Sequence, residues 1–193
     1  PPYTTKLWGC LNGEGGIGID APAIHSTAID TINWNLHVAY STYVDPGTLA
    51  NIMYTEGSDC TTSGVSCTWS SPKNIVKDGG LAVDQWDPAI AISPDTNTIH
   101  VTALDRRSSA DNTTWEPWHY HCHYASFDCK TVNTNWLVTS VTTESSWNID
   151  STTLIGHYHG ITTSAAREAN TVWPDTRLHL GNQDFNIFSD WTT

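Results

Sequence analysis

Asp87-Pro-Ala-Ile-Ala-Ile92, then Ile99-His-Val-Thr-Ala-Leu-Asp105, is the stretch whose reading decides the fold. Both runs are short and rich in β-branched residues, and Ser, Pro, Asp and Asn lie between them, as expected of two strands joined by a turn. The same two runs occur about 65 residues earlier, as Ala21-Pro-Ala-Ile24 and Leu36-His-Val-Ala39. Reading outward, the earlier unit continues through Asn51-Ile-Met-Tyr54 to Ser58-Asp-Cys60 and Trp69. The later unit continues through His121-Cys-His-Tyr124 to Ser126-Phe-Asp-Cys129 and Trp136. A weaker third copy runs Gly160-Ile-Thr-Thr163, Asn170-Thr-Val-Trp173, Phe185-Asn-Ile-Phe188. Four short β-type runs per unit at a fixed period read as blades of a β-propeller, because one four-stranded sheet cannot bury both faces without stacked neighbours. The expected fold is therefore all-β, with about three four-stranded antiparallel units near residues 21–78, 84–143 and 154–193 of a single domain spanning 1–193. Residues 1–20, with Gly13-Glu-Gly-Gly-Ile-Gly18, read as irregular; no strand-turn-helix context supports a dinucleotide site. Three units fall short of the four to eight blades of a closed ring. The expectation is part of a six-bladed ring, completed by self-association or by missing blades of a longer chain.

The chain has 193 residues, a net charge of −12 and only 8 Lys and Arg. Such a surface repels nucleic acid and anionic membranes, and no stretch approaches the roughly 18 apolar residues of a membrane span. The start at Pro1-Pro-Tyr3, without Met or a basic-plus-apolar leader, reads as a processed N-terminus. Of 5 cysteines, Cys60 and Cys67 have six residues between them, and so do Cys122 and Cys129. Equal spacings where a strand turns back suggest two local disulfides and an oxidising compartment, hence a secreted or cell-surface protein. Cys10 is left over. Asn112-Thr-Thr114 is a glycosylation sequon in a polar segment.

The hairpins Ser58–Trp69 and Ser126–Trp136 are similar to the Asp-box of sialidase-like propellers, a Ser-x-Asp-x-Gly-x-x-Trp turn. Ser58, Asp59 and Trp69 fit its ends, as do Ser126, Asp128 and Trp136, but the spacing is stretched and the central Gly is missing or displaced to Gly64. Residues 87–107 with Asp105-Arg-Arg107, and the later series Leu154-Ile-Gly-His-Tyr-His-Gly160, Val172-Trp-Pro-Asp-Thr-Arg177 and Asn182-Gln-Asp184, resemble runs in the same order in secreted bacterial and archaeal sialidase-like (BNR-repeat) proteins. The resemblance covers residues 80–190 well and 20–78 loosely. It implies a propeller, and for true sialidases an arginine cluster for the substrate carboxylate, a Tyr–Glu nucleophile pair and an Asp acid. Guanidinium forks suit that task because they grip carboxylates bidentately.

Here the arginines number four, Arg106, Arg107, Arg167 and Arg177. Arg107 and Arg177 fall in matching segments, each behind an Asp (Asp105, Asp175), and Tyr158 lies in another. These five residues are the catalytic candidates; a structural Asp–Arg network between blades is the competing reading. His119, His121 and His123 alternate, so a strand places them on one face. With His157 and His159 they are candidate ligands for a divalent metal such as Zn, Cu or Ca, although the histidine face could equally be a solvent face. His157 also departs from the resembling family, which carries Asp there. Trp115, Trp118 and Trp147 lie in polar segments and are the expected glycan-stacking residues, whereas Trp69 and Trp136 read as core. The balance favours a non-catalytic extracellular propeller that binds glycans or glycoconjugates, or assembles on the cell surface. The alternative is an exo-glycosidase of sialidase type acting on terminal sugar acids.

Overall fold

The structure, a computed structural model, describes residues 8–12, 18–22, 25–42, 50–60, 66–76, 84–93, 98–108, 114–123, 135–137, 143–144, 159–164, 169–175 and 186–192. Within them the secondary structure is β throughout, every strand pairing is antiparallel, and no helix is long and apolar enough to cross a membrane.

β1 (Trp8–Asn12) and β2 (Gly18–Pro22) form a hairpin. This corrects the irregular reading of residues 1–20. The glycine-rich segment does separate the two strands, but neither flank shows the long alternation that announces a strand. Next comes a sheet ordered β3 (His25–Ile29), β4 (Leu36–Thr42), β5 (Asn51–Ser58), β6 (Thr68–Trp69), with β7 (Lys73–Asn74) also on β5. A second sheet repeats the plan with β8 (Gln85–Ser93), β9 (Thr98–Asp105), β10 (Thr114–His123), β11 (Asn135–Leu137), and β12 (Thr143–Glu144) on β10. The third contains β13 (Gly160–Thr163), β14 (Ala169–Asp175) and β15 (Asn186–Thr192).

The outer strand is broken in both larger sheets, and each break has a local cause. In the first, Ser70 replaces ladder partners: its N–H donates to the Glu56 carbonyl at 2.8 Å and its Oγ accepts from the Glu56 N–H at 3.0 Å. In the second, the gap between the β11 and β12 pairings falls at Glu116 and Pro117, and proline has no N–H to give an edge. β8 carries a bulge between Trp86 and Ala89. The bulge absorbs Asp87, at φ 53°, and Pro88. A left-handed backbone before proline is doubly unfavourable.

β8 packs along β3, β4 and β5, and β13 along β8 and β9. Side-chain hydrogen bonds tie these neighbours: Ile90 N–H donates to Ser26 Oγ at 3.1 Å, and Thr163 Oγ1 donates to the Ile92 carbonyl at 3.0 Å. The core lies between the first two sheets, where Ala39, Ile52 and Tyr54 meet Ile90, Ile99, Val101, Ala103 and Tyr120. β4 alternates buried and half-buried residues, as a strand with one covered face should. β9 is buried along its whole length, because it is central in the middle sheet and both its faces are covered.

Candidate functional site

The end of β9 carries Asp105, and the chain turns so that Arg107 folds back onto it. Arg107 Nε and Nη2 donate to Asp105 Oδ2 at 3.0 and 2.6 Å, and the Arg107 N–H donates to Oδ1 at 2.7 Å. Tyr120, across β10, donates its hydroxyl to the same Oδ2 at 2.7 Å and accepts from Arg107 Nη2 at 2.9 Å. The guanidinium lies 4.1 Å over the Trp118 ring. Burial works against the Arg107 charge, yet Tyr120 and Asp105 beside it hold its pKa above the ordinary value. Burial, then the Asp105 charge, raises Tyr120. The knot is buried and internally bonded. Asp175 ends β14; its side chain, Arg177 and Tyr158 lie outside the described residues.

A second buried ion pair was not expected from the sequence. Arg106 Nη1 meets Asp84 Oδ2 at 3.5 Å, and Asp84 Oδ1 accepts the Ala50 N–H at 3.1 Å. Arg106 lies 5.3 Å from the Trp86 ring centre, and Trp86 meets Trp115 edge-on at 6.1 Å. Trp115 is 0 % exposed and stands with Trp118 on β10. The glycan-stacking expectation placed both in a polar segment and is corrected here: Trp115 has no open face, and Arg107 covers one face of Trp118. The polar residues around them masked a strand. Trp147 and Asn112 lie outside the described residues, as does the Trp136 side chain.

The opposite face of the second sheet is a row of histidines. His100 Nδ1 and His119 Nε2 are 3.0 Å apart with the rings stacked 5.1 Å centre to centre. Ser93 Oγ lies 3.0 Å from His100 Nε2. His121 sits beside both rings at 5.9 and 5.8 Å. From the third sheet, His159 Nε2 reaches Thr102 Oγ1 at 3.0 Å and its Nδ1 meets the Asp87 carbonyl at 2.8 Å. Burial lowers His100 to about 4, with the His121 charge adding to it. Burial, then His100 and His121, lowers His119 to about 3. Burial lowers His159 to about 4 against the pull of the Asp87 carbonyl. His37 of the first sheet, 2.7 Å from the Tyr54 hydroxyl, is likewise buried and lowered to about 4.

These imidazoles fit one another better than a metal. A 3.0 Å nitrogen pair is a hydrogen bond, whereas two nitrogens on one tetrahedral zinc stand about 3.3 Å apart. Among the described residues no group of three or more His, Cys, Asp or Glu could hold a metal ion. His157 and the His123 side chain lie outside those residues. The row is also not a solvent face: His119 is fully buried, since the third sheet lies against this side.

Asp87, like His37 and His100, is a titratable group that sequence reading missed, having served only to mark the repeat. It is buried, sits at positive φ, and burial raises its carboxyl to about 7. Only a carboxyl at such a pKa can both give and take a proton near neutrality.

Exposed apolar surface gathers elsewhere. Among the described residues the exposed large hydrophobics are Ile29, Ile32, Trp34 and Trp69, all at one end of the first sheet. Trp69, expected in the core, is 49 % exposed and Trp34 is 71 % exposed. Cys60 and Cys67 are bonded behind Trp69. Cys129 lies outside the described residues, so the second pairing stays an expectation.

No protein-family model matches the sequence, and no curated protein matches it. Among solved structures the chain is similar to one titled Hadza microbial sialidase Hz136, at 11 % identity and a TM-score of 0.49. The match covers 79 % of this chain and 32 % of that one, so this chain spans about a third of that protein's length.

Proposed function

We propose that the chain is a non-catalytic, sialidase-like propeller module that works outside the cell and binds glycans. The observation that carries the reading is the Asp105–Arg107–Tyr120 knot. Arg107 is a described arginine of the segment resembling the sialidase-like family, and its Nε and Nη2 are bonded to Asp105 within the protein. An arginine held in this way braces β9 against β10; a sugar-acid site needs its fork turned toward ligand. Further support comes from the repeated sheet plan, with each unit stacked on the next in chain order, and from the Cys60–Cys67 disulfide, which suits an oxidising compartment. Completion of a six-bladed ring, by a second copy or by further blades, belongs to the same proposal.

Arg107→Ala tests it. The variant should unfold more easily by about 3–5 kcal/mol, because Asp105 is left buried without its partner, while glycan affinity stays unchanged. Loss of glycan binding at an unchanged melting temperature would instead make Arg107 a ligand-binding residue.

The second reading is an exo-glycosidase of sialidase type with Asp87 as its candidate acid, a residue whose pKa is raised by burial and which is 4 % exposed. A carboxyl near pKa 7 is suited to act as general acid. A fluorogenic sialoside hydrolysed by the purified protein, with turnover abolished in Asp87→Asn, would replace the first reading with the second.

A further inference from the structure

We infer that the end of the first sheet is a binding site for an uncharged oligosaccharide, built on Trp69 and Trp34 and closed to sialic acids and uronates. The inference rests on the glycan-binding reading and gives it a place and a ligand class.

The register aligns Ile29, Leu36, Gly57 and Trp69 in one row across β3, β4, β5 and β6, so their side-chain positions share a face. Gly57 is what lets the indole lie down. A Cβ there would stand 3.2 Å from Trp69 Cη2 and Cζ3 and 3.1 Å from the Cys67 Cβ. The six-membered ring therefore rests on bare backbone, and the residue keeps about half its surface open, 49 %. The Cys60–Cys67 bond fixes the hairpin from which Trp69 emerges.

Trp34 is presented by the β3–β4 turn, which joins the first two members of that row. Asp30 shapes the turn: its Oδ1 accepts the Ile32 N–H at 2.8 Å, its Oδ2 accepts Asn33 Nδ2 at 2.7 Å, and its carbonyl accepts the Trp34 N–H at 2.8 Å. Trp34 stands at φ 58°, a rare conformation for so bulky a residue, which persists only where surrounding bonds impose it.

The row from Ile29 to Trp69, with Ile32 and Trp34 exposed in the turn at its β3–β4 end, is a narrow strip of apolar residues. Four strands at about 4.8 Å spacing make it roughly 14 Å long, which suits a short sugar chain. The neighbouring rows, Thr27–Val38–Thr55 and His25–Tyr40–Met53–Asn74, keep Val38, Tyr40 and Met53 half-buried. The exposed apolar surface is therefore a strip, unlike the broad apolar centre of a protein interface.

The rim decides the ligand's charge. Asn33 and Asp59 are exposed at this end of the sheet, Glu56 is buried on the other face and bonded to Asn35, and the cation among this sheet's described residues, Lys73 of β7, pairs with Tyr54 in a core-facing row rather than with a residue of the strip. Amides, hydroxyls and carboxylates accept and donate to sugar hydroxyls while the C–H face of a pyranose lies on indole. A sugar carboxylate would meet Asp59 with no guanidinium to hold it, on a chain of net charge −12.

The experiment is a calorimetric and tryptophan-fluorescence titration of the full chain with cellohexaose, chitohexaose, mannohexaose and sialyllactose. At least one neutral hexasaccharide should bind saturably and sialyllactose should not. Trp34→Ala and Trp69→Ala should each weaken binding roughly tenfold, the equivalent of one lost aromatic stack. Gly57→Ala should do the same while keeping the indole, by lifting it off the backbone. Binding of sialyllactose that survives both tryptophan variants would overturn the site and leave glycan binding standing. Failure of all four sugars would overturn both. If no sugar binds and Trp69→Ala turns a dimer into a monomer by light scattering, the strip is an interface between copies and the inference falls.

Discussion

His37, His100, His119 and His159 are neutral in the fold and remain so to about pH 4 or below, whereas in an unfolded chain they would charge near 6.5. Between these limits the unfolded state binds more protons, so stability is complete above about pH 6.5 and is lost as pH falls toward 4. Asp30 acts in the same direction at lower pH. Burial works against its charge, but hydrogen bonds from Ile32 and Asn33 leave its carboxyl below the ordinary value. Asp87 has the opposite sign. Its folded carboxyl holds a proton up to about 7 against 3.8, so its contribution is present below 3.8 and is lost as pH rises to 7. Four histidines against one aspartate make the net effect acid destabilisation. The melting temperature should fall steadily from pH 7 to about 4.5, and Asp87→Asn should raise it chiefly at neutral pH, where the wild-type carboxyl is ionising in a dry site. A flat profile over that range would show that these imidazoles exchange protons freely with solvent. The histidine alternation was legible in the sequence. The ring-to-ring bond was not, because it joins His119 to His100, a residue that the sequence marked only as part of a repeated strand.

At the level of strands, the repeated runs identified β4, β5, β8 and β9 well, since each alternates or is continuously apolar between turn residues. β10 was harder to see. Pro117 and the charged and polar residues around Trp115 and Trp118 suggest a loop, yet the strand runs Thr114–His123. The proline is tolerated where the outer strand is interrupted. Trp69 was misplaced for the converse reason: an aromatic at a strand end looks like core unless the outer strand is known to end there. That hairpin gives a prediction about the disulfide. Replacing Cys60 and Cys67 by Ser should cost about 2–3 kcal/mol for so small a loop. It should also free the Trp69 indole, shifting its fluorescence toward that of a solvated tryptophan. If reduction leaves both melting and fluorescence unchanged, strand pairing at Gly57 and Ser58 is sufficient to hold the hairpin.

Across the whole molecule, burial is graded from the first sheet to the middle one. β9 is covered on both faces, while β3 alternates exposed and half-buried residues. Its Ile29 is 56 % exposed, whereas Ile99 of β9, within the core between the first two sheets, is 2 % exposed. The two isoleucines therefore give a matched comparison. Ile99→Ala should cost about 2–5 kcal/mol, since it leaves a cavity between two sheets that cannot collapse onto it. Ile29→Ala should change stability by less than about 0.5 kcal/mol. Amide exchange should follow the same gradient, slowest along β9 and fastest in β3 and β6, where fewer covered contacts oppose opening. The gradient also separates a terminal sheet from an interior one. If β3 proves as protected as β9, and Ile29→Ala as costly as Ile99→Ala, then another sheet covers the first one in solution, and the strip at Trp34 and Trp69 is part of that contact.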